Sequence, residues 1–201
     1  MTVENRTAVL YRASDREEAH CDHVAFFDLD DGKETWAHTI PVSTSGSLAS
    51  APQRTPSVTL TRGTVVVTWG GGTSAHDMDG GKQSWRTTAT GSCKDEGAAG
   101  GRGLLIRQVC WTEGDTSGGT YSVRRVDLAT GRTSWTYTAA RGALLLGIPS
   151  AEPPVLAVSA GGTAITDLLS LDDKGRHRAT IGFQNGTYVG ASHLDYLVVS
   201  G

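Results

Sequence analysis

No run of 18 apolar residues occurs in this 201-residue chain, so the sequence holds no candidate transmembrane helix. Long blocks of one charge are also missing. Eighteen Lys and Arg stand against 21 Asp and Glu, a formal net charge of −3 spread along the chain, which argues against a dedicated nucleic-acid surface. No apolar segment follows Met1-Thr2-Val3-Glu4-Asn5-Arg6, so the start does not read as a secretory signal. Lysine is scarce, 4 residues against 14 Arg, a composition that points to a high-GC bacterial genome. No segment shows a convincing amphipathic helical period.

Glycine, by contrast, is plentiful at 26 residues, and it recurs in a fixed phrase. Asp28-x-x-x-Gly32-x-x-x-Trp36 returns as Asp77-x-x-x-Gly81-x-x-x-Trp85 and Asp127-x-x-x-Gly131-x-x-x-Trp135, with glycines 49 and 50 residues apart. A worn fourth copy, Leu171-Asp172-Asp173-Lys174-Gly175, follows 44 residues later with Ala179 where Trp is expected. A period near 50 marks one supersecondary unit used repeatedly. Each phrase reads as strand, tight turn, strand. The short Asp side chain can accept from backbone N–H groups two residues on, and Gly tolerates positive φ. Between phrases lie short β-branched or apolar runs, such as Ser57–Thr61, Thr64–Trp69, Leu104–Val109 and Val155–Val158. One unit therefore holds about four short strands joined by Gly-rich turns, the make-up of a propeller blade. A lone four-stranded sheet cannot bury both faces, so the blades must stack, and Trp36, Trp85 and Trp135 are placed to fill the gaps between them.

The phrase resembles the repeat of PQQ-like β-propellers, the quinoprotein-dehydrogenase-like and BamB-like proteins, which reads roughly Ala-Leu-Asp-Ala-x-Thr-Gly-Lys-x-x-Trp. Val126-Asp127-Leu128-Ala129-Thr130-Gly131-Arg132-Thr133-Ser134-Trp135 matches it best, and Phe27 to Trp36 nearly as well. The resemblance implies an all-β propeller of four-stranded blades, about four of them over residues 1–201 as a single segment. It assigns Asp28, Gly32, Asp77, Gly81, Asp127, Gly131 and Gly175 to blade turns, and the three Trp to blade docking. The fourth unit departs from the pattern, which puts its packing in doubt. The first unit begins at Thr7 with no leading strand, and Asp195–Ser200 resembles the start of a fifth. Closed rings usually have about 4–8 blades, so the chain is either a four-bladed ring whose C-terminal strand completes the first blade or half of a larger ring; blades near 50 residues with docking Trp favour the fragment or half-ring.

Members of this family that are dehydrogenases hold pyrroloquinoline quinone with Ca²⁺, a catalytic Asp and often a vicinal Cys–Cys bridge. No two cysteines are adjacent here, and no residue matches the catalytic Asp. Other members are assembly factors, sensors or scaffolds. The sequence is accordingly read as a non-enzymatic extracytoplasmic interaction module with no catalytic, cofactor or metal residue assigned and an unknown protein or ligand partner. The alternatives are a PQQ-dependent dehydrogenase or a fragment of one, and the sensor ectodomain of a membrane receptor or kinase.

Three cysteines bear on the compartment. Cys93 and Cys110 flank a Gly-rich segment in one unit. On adjacent strands they can form a disulfide, as in exported proteins; otherwise they are two buried thiols. Cys21 is then left over.

Other motifs dissolve on inspection. Glu18-Ala19-His20-Cys21 and Gly114-Asp115-Thr116-Ser117-Gly118-Gly119 resemble fragments of trypsin-like motifs, but the extra Thr would displace the nucleophile. His20-Cys21-Asp22-His23 mixes metal-ligand types, yet strand neighbours point to opposite faces and no second cluster completes a site. Asp28-x-Asp30-Asp31-Gly32 and Asp77-x-Asp79-Gly80 lack the Gly placement and bidentate Glu of an EF-hand. Gly70-Gly71-Gly72 lacks the Lys-Ser/Thr of a P-loop. Asn5-Arg6-Thr7 and Asn185-Gly186-Thr187 match a glycosylation sequon by pattern alone, and His38, His76, His177 and His193 are dispersed.

Overall fold

A computed structural model of the chain describes residues 2–3, 5–14, 21–42, 56–112, 119–182, 188–190 and 197–199. The trypsin-like segments apart from Cys21 and Gly119, the whole Asn185 sequon and His193 lie outside the described residues.

Among the described residues every regular element is a strand. The first sheet contains β1 (Thr2–Val3), β2 (Arg6–Tyr11), β3 (His23–Asp28) and β4 (Glu34–Thr39), in chain order. The second contains β5 (Ser57–Thr61), β6 (Thr64–Trp69), β7 (Gly72–Asp77) and β8 (Gln83–Thr88), again in order. The third contains β9 (Cys93–Ala99), β10 (Leu104–Cys110), β11 (Thr120–Val126) and β12 (Thr133–Thr138). The fourth contains β13 (Leu144–Ala151), β14 (Pro154–Ser159), β15 (Asp167–Leu171) and β16 (His177–Gly182). A two-stranded pair, β17 (Tyr188–Gly190) with β18 (Leu197–Val199), follows. These are four four-stranded antiparallel blades, the fold class expected from the repeat. One detail differs. The first unit does have a leading strand, because Thr2 and Val3 pair with Thr7 and Arg6; two residues without β-rich neighbours gave too short a signal to read as a strand.

Each blade repeats the same irregularity. The register between its last two strands shifts at Phe26/Phe27, Ala75/His76, Arg125/Val126 and Ser170/Leu171. A bulge at this place twists the outer strand just after the Asp–Gly turn. It also sets what faces what: Trp36 lies opposite Phe26, Trp85 opposite Ala75 and Trp135 opposite Arg125.

The chain divides into two compact units, with the division falling inside β9. The first comprises Met1–Ala98 with the turn Leu128–Gly131. Its core joins Val24, Phe26 and Trp36 of the first blade to Leu60, Val65, Val67 and Trp69 of the second. Each fully buried aliphatic or aromatic side chain of this kind contributes about 1.5–3 kcal/mol relative to exposure. The second unit has its own core, Leu105, Val123, Leu145, Leu156, Val158 and Leu171. Inside it Arg107, 7% exposed, donates from one guanidinium nitrogen to the carbonyls of Leu145 at 2.7 Å and Leu146 at 3.1 Å. Those carbonyls lie at the register shift of β13 between Leu145 and Gly147.

Cys93 and Cys110 are disulfide-bonded, and Cys21 is free. No helix among the described residues is long and apolar enough to cross a membrane.

Candidate functional site

The repeated turns are built alike. Asp28, Asp77 and Asp127 each donate their backbone N–H to the carbonyl five residues on, at 2.9–3.0 Å. The Asp28 carboxylate accepts from the Asp30 N–H at 2.9 Å, and the Asp77 carboxylate from those of Asp79 and Gly80 at 2.9 Å. The glycines that close these turns have φ of 69°, 68° and 71°, which only Gly adopts without strain. The fourth turn is one residue shorter: Asp172 donates to the Arg176 carbonyl at 2.8 Å, and its carboxylate accepts from the Lys174 and Arg176 N–H groups. Its Gly175 still sits at φ 78°.

Onto the second, third and fourth of these turns comes the Trp of the preceding blade. The Trp36 indole N–H donates to the Met78 carbonyl at 2.9 Å, Trp85 to Leu128 at 2.7 Å and Trp135 to Asp173 at 2.8 Å. In all three the acceptor is the residue just after the turn Asp. The ring lies so close to the turn Gly that a Cβ there would stand 2.6–2.7 Å from ring carbons, at Gly81, Gly131 and Gly175 alike. Glycine is thus needed twice over, for its φ and for the close approach of the ring. The worn fourth turn keeps its seat for Trp135 although it has lost a residue, because the closing Gly and the acceptor carbonyl are both retained. At the first turn, Gly32 has nothing within 4 Å of where a Cβ would lie.

The first blade junction carries something the repeat does not require. His38, two residues after Trp36, and His76, one residue before Asp77, form a cluster of three rings with Trp36, in which His76 stacks on the indole and His38 is tilted against both. Centroids are 5.0 Å apart for His38–His76, 5.2 Å for Trp36–His38 and 5.8 Å for Trp36–His76. His38 Nε2 and His76 Nδ1 both approach the Gly81 carbonyl, at 2.6 and 3.2 Å. A carbonyl only accepts, so each of these nitrogens carries a proton. His76 Nε2 is then the acceptor for the Ser74 hydroxyl at 3.0 Å. Burial holds the His76 imidazole below its ordinary pKa; the Gly81 bond partly opposes this and the neighbouring His38 reinforces it. A cavity of about 50 Å³ opens beside the pair. Arg86, whose guanidinium lies 5.2 Å from the Trp69 ring centroid, and Gln83 line it with Val24, Ile40 and Val67.

Of the turn Asp and Gly residues and the three Trp that the sequence singled out, Trp36, Trp85 and Trp135 lie against the turns of Gly81, Gly131 and Gly175, while the turn of Asp28 and Gly32 meets no indole among the described residues. The sequence did not single out His38 and His76 as a pair, nor Arg86 and Trp69. A signal was present: the register position of His76 opposite Gln83 is filled by Val126 opposite Thr133 and by Leu171 opposite His177 in the next blades. His23 bonds Asp22 at 2.6 Å beside Cys21, and among the described residues no three His, Cys, Asp or Glu side chains converge for a metal. The carboxylates of Asp28, Asp77 and Asp172 accept from N–H groups of their own turns.

Four-stranded meanders, each closing on an Asp–Gly turn that seats the preceding indole, define a β-propeller segment of the PQQ-like kind. The chain belongs to the family described as outer membrane protein assembly factor BamB, whose sequence model matches residues 21–188. No curated protein is similar enough in sequence to match it. Among solved structures it is similar to a europium-containing methanol dehydrogenase (16% identity, TM-score 0.60, covering 95% of this chain and 42% of that one). It is similar too to the quinohemoprotein alcohol dehydrogenase of Comamonas testosteroni (16%, 0.61, 90% and 34%) and to BamB of Moraxella catarrhalis (15%, 0.53, 93% and 55%). At these identities the likeness is one of fold, and the chain spans less than two thirds of each.

Proposed function

We propose that the chain is a non-enzymatic propeller module that acts outside the cytoplasm and presents its blade loops to a protein or ligand partner. The observation that carries this reading is the thrice-repeated seat. Trp36, Trp85 and Trp135, three of the five Trp from which a quinone floor could be drawn, are committed to neighbouring turns. The turn carboxylates that would serve a metal accept from their own backbone. What remains for contact with other molecules is the loop surface, the usual place of function on a rigid scaffold. The disulfide supports an oxidising compartment, and the family's description as an assembly factor supports a protein partner.

The test is direct. The purified chain is saturated with pyrroloquinoline quinone and Ca²⁺ and assayed for dye-linked oxidation of alcohols and sugars. We expect no dye reduction above the level of free quinone; substrate-dependent turnover would sink the reading. An alkaline phosphatase fusion to the native gene product checks the compartment, and activity is expected only on export.

A further inference from the structure

The cavity at the first junction is not explained by blade packing. Its wall on the second blade follows from the ladder register. Val67, Ser74 and Arg86 form one row across β6, β7 and β8, and His76 and Gln83 form the row nearer the turn. In the third blade the places of Ser74 and Arg86 are taken by Arg124 and Thr136, in the fourth by Leu169 and Thr180. The second blade alone combines a cation, an amide and an imidazole on this face. His76 is 7% exposed, and a packing role would be met by the Val or Leu found at its position in the next blades.

The chemistry of the cavity has two sides. Arg86 offers a planar fork of N–H donors, held by the Trp69 ring, with Gln83 beside it. Val24, Ile40 and Val67 form an apolar wall. No carboxylate is among the described residues lining it. A permanent cation with no lining counter-charge favours an anion, and the guanidinium fork matches a carboxylate's paired oxygens. The apolar wall suits an alkyl group and disfavours phosphate or sulfate, which carry polar oxygens on every side. At about 50 Å³, where about 10–15 Å³ holds one water, the cavity limits a ligand to a few non-hydrogen atoms.

We propose that this cavity is a binding pocket for a small carboxylate, with Arg86 pairing the carboxylate and Val24, Ile40 and Val67 taking its alkyl end. Such a group can be a free short-chain acid or the C-terminus of a peptide. The pocket does not depend on the scaffold reading, since a chain with enzymatic activity could hold it equally well.

The experiment is an NMR titration of the whole chain with sodium acetate, against sodium chloride at matched ionic strength. The reporters are the Trp69 indole N–H and the Arg86 Nε–H. Saturable shifts with acetate and not with chloride are expected. Arg86→Gln, at an exposed position that leaves the core untouched, should weaken acetate by about tenfold or more, the worth of a charge-assisted pair. Lys174→Gln in the fourth blade should leave it unchanged. N-acetyl-diglycine separates the sources: tighter binding than acetate assigns a peptide terminus, weaker binding a free acid. Linear shifts, equal shifts with chloride, or unchanged affinity in a folded Arg86→Gln protein would overturn the proposal.

Discussion

The indole of Trp85 is seated on Gly131: its N–H donates to the Leu128 carbonyl at 2.7 Å, and its Cδ2 would stand 2.7 Å from a Cβ at that glycine. The same turn at Gly32 has the same φ and open space above it. The two glycines therefore separate conformational strain from steric contact. Gly32→Ala should cost only the left-handed penalty, about 1 kcal/mol. Gly131→Ala adds the displacement of a packed ring and should cost about 2–4 kcal/mol. Urea unfolding of the two variants side by side measures the difference, and equal losses would show that the ring contact contributes nothing.

The polar and apolar parts of the Trp85 seat can be parted in the same way. Trp85→Phe retains most of the ring and removes the donor, so the Leu128 carbonyl loses its bond at a cost of about 1–2 kcal/mol. Trp85→Ala removes the ring as well and should cost about 3–5 kcal/mol. Thermal melts of both variants test the ordering.

His76 should make stability depend on pH. Its folded pKa lies below the ordinary imidazole value near 6.5 because it is buried. Between that value and the lower folded one, the unfolded chain binds the extra proton. Stability is therefore fully present above about pH 6.5 and falls as the pH drops through this window. The groups facing His76 oppose its charge, since His38 from β4 and Arg86 from β8 are basic. Three carboxyls titrate below their ordinary range, through hydrogen bonds from His23 to Asp22, from Lys33 to Asp31 and from the Arg176 backbone to Asp172. Their contribution is lost only at more acid pH. His76→Val, which copies the third blade, should flatten the melting temperature between about pH 5 and 7. A slope unchanged by that substitution would place the titration elsewhere.

The disulfide gives a count. Titration of the denatured chain should find one reactive thiol without reductant, Cys21, and three with it, adding Cys93 and Cys110. Replacing both bridged cysteines by Ala should cost about 2–4 kcal/mol, read from the urea midpoint under oxidising conditions.

Much of the fold was legible along the chain because its signals are local. An Asp whose carboxylate accepts from the next N–H groups, and a Gly at positive φ, write a turn into four or five residues. Repetition at about 50 residues then states how many times the unit is used. The bulge after each turn was not legible, since it follows from strand pairing rather than from any one residue. The leading strand Thr2–Val3 was missed for its brevity.

The sequence by itself determined the blade: its four strands, its turn, and the spacing that delivers a Trp beyond Gly32, Gly81 and Gly131. It also determined that Gly must close the turn, because positive φ is a property of the backbone alone. Only the tertiary structure decided that the same Gly must lack a side chain for a second reason, the ring of Trp36, Trp85 or Trp135 resting on Gly81, Gly131 or Gly175 from 40 to 46 residues earlier. It alone joined His38 to His76 and set Arg86 beside them. These residues are far apart in sequence, and proximity across blades depends on how sheets stack. The period of the repeat reports the unit, while a departure from it, such as His76 where the next blades have Val126 and Leu171, acquires meaning only when the facing surface is known.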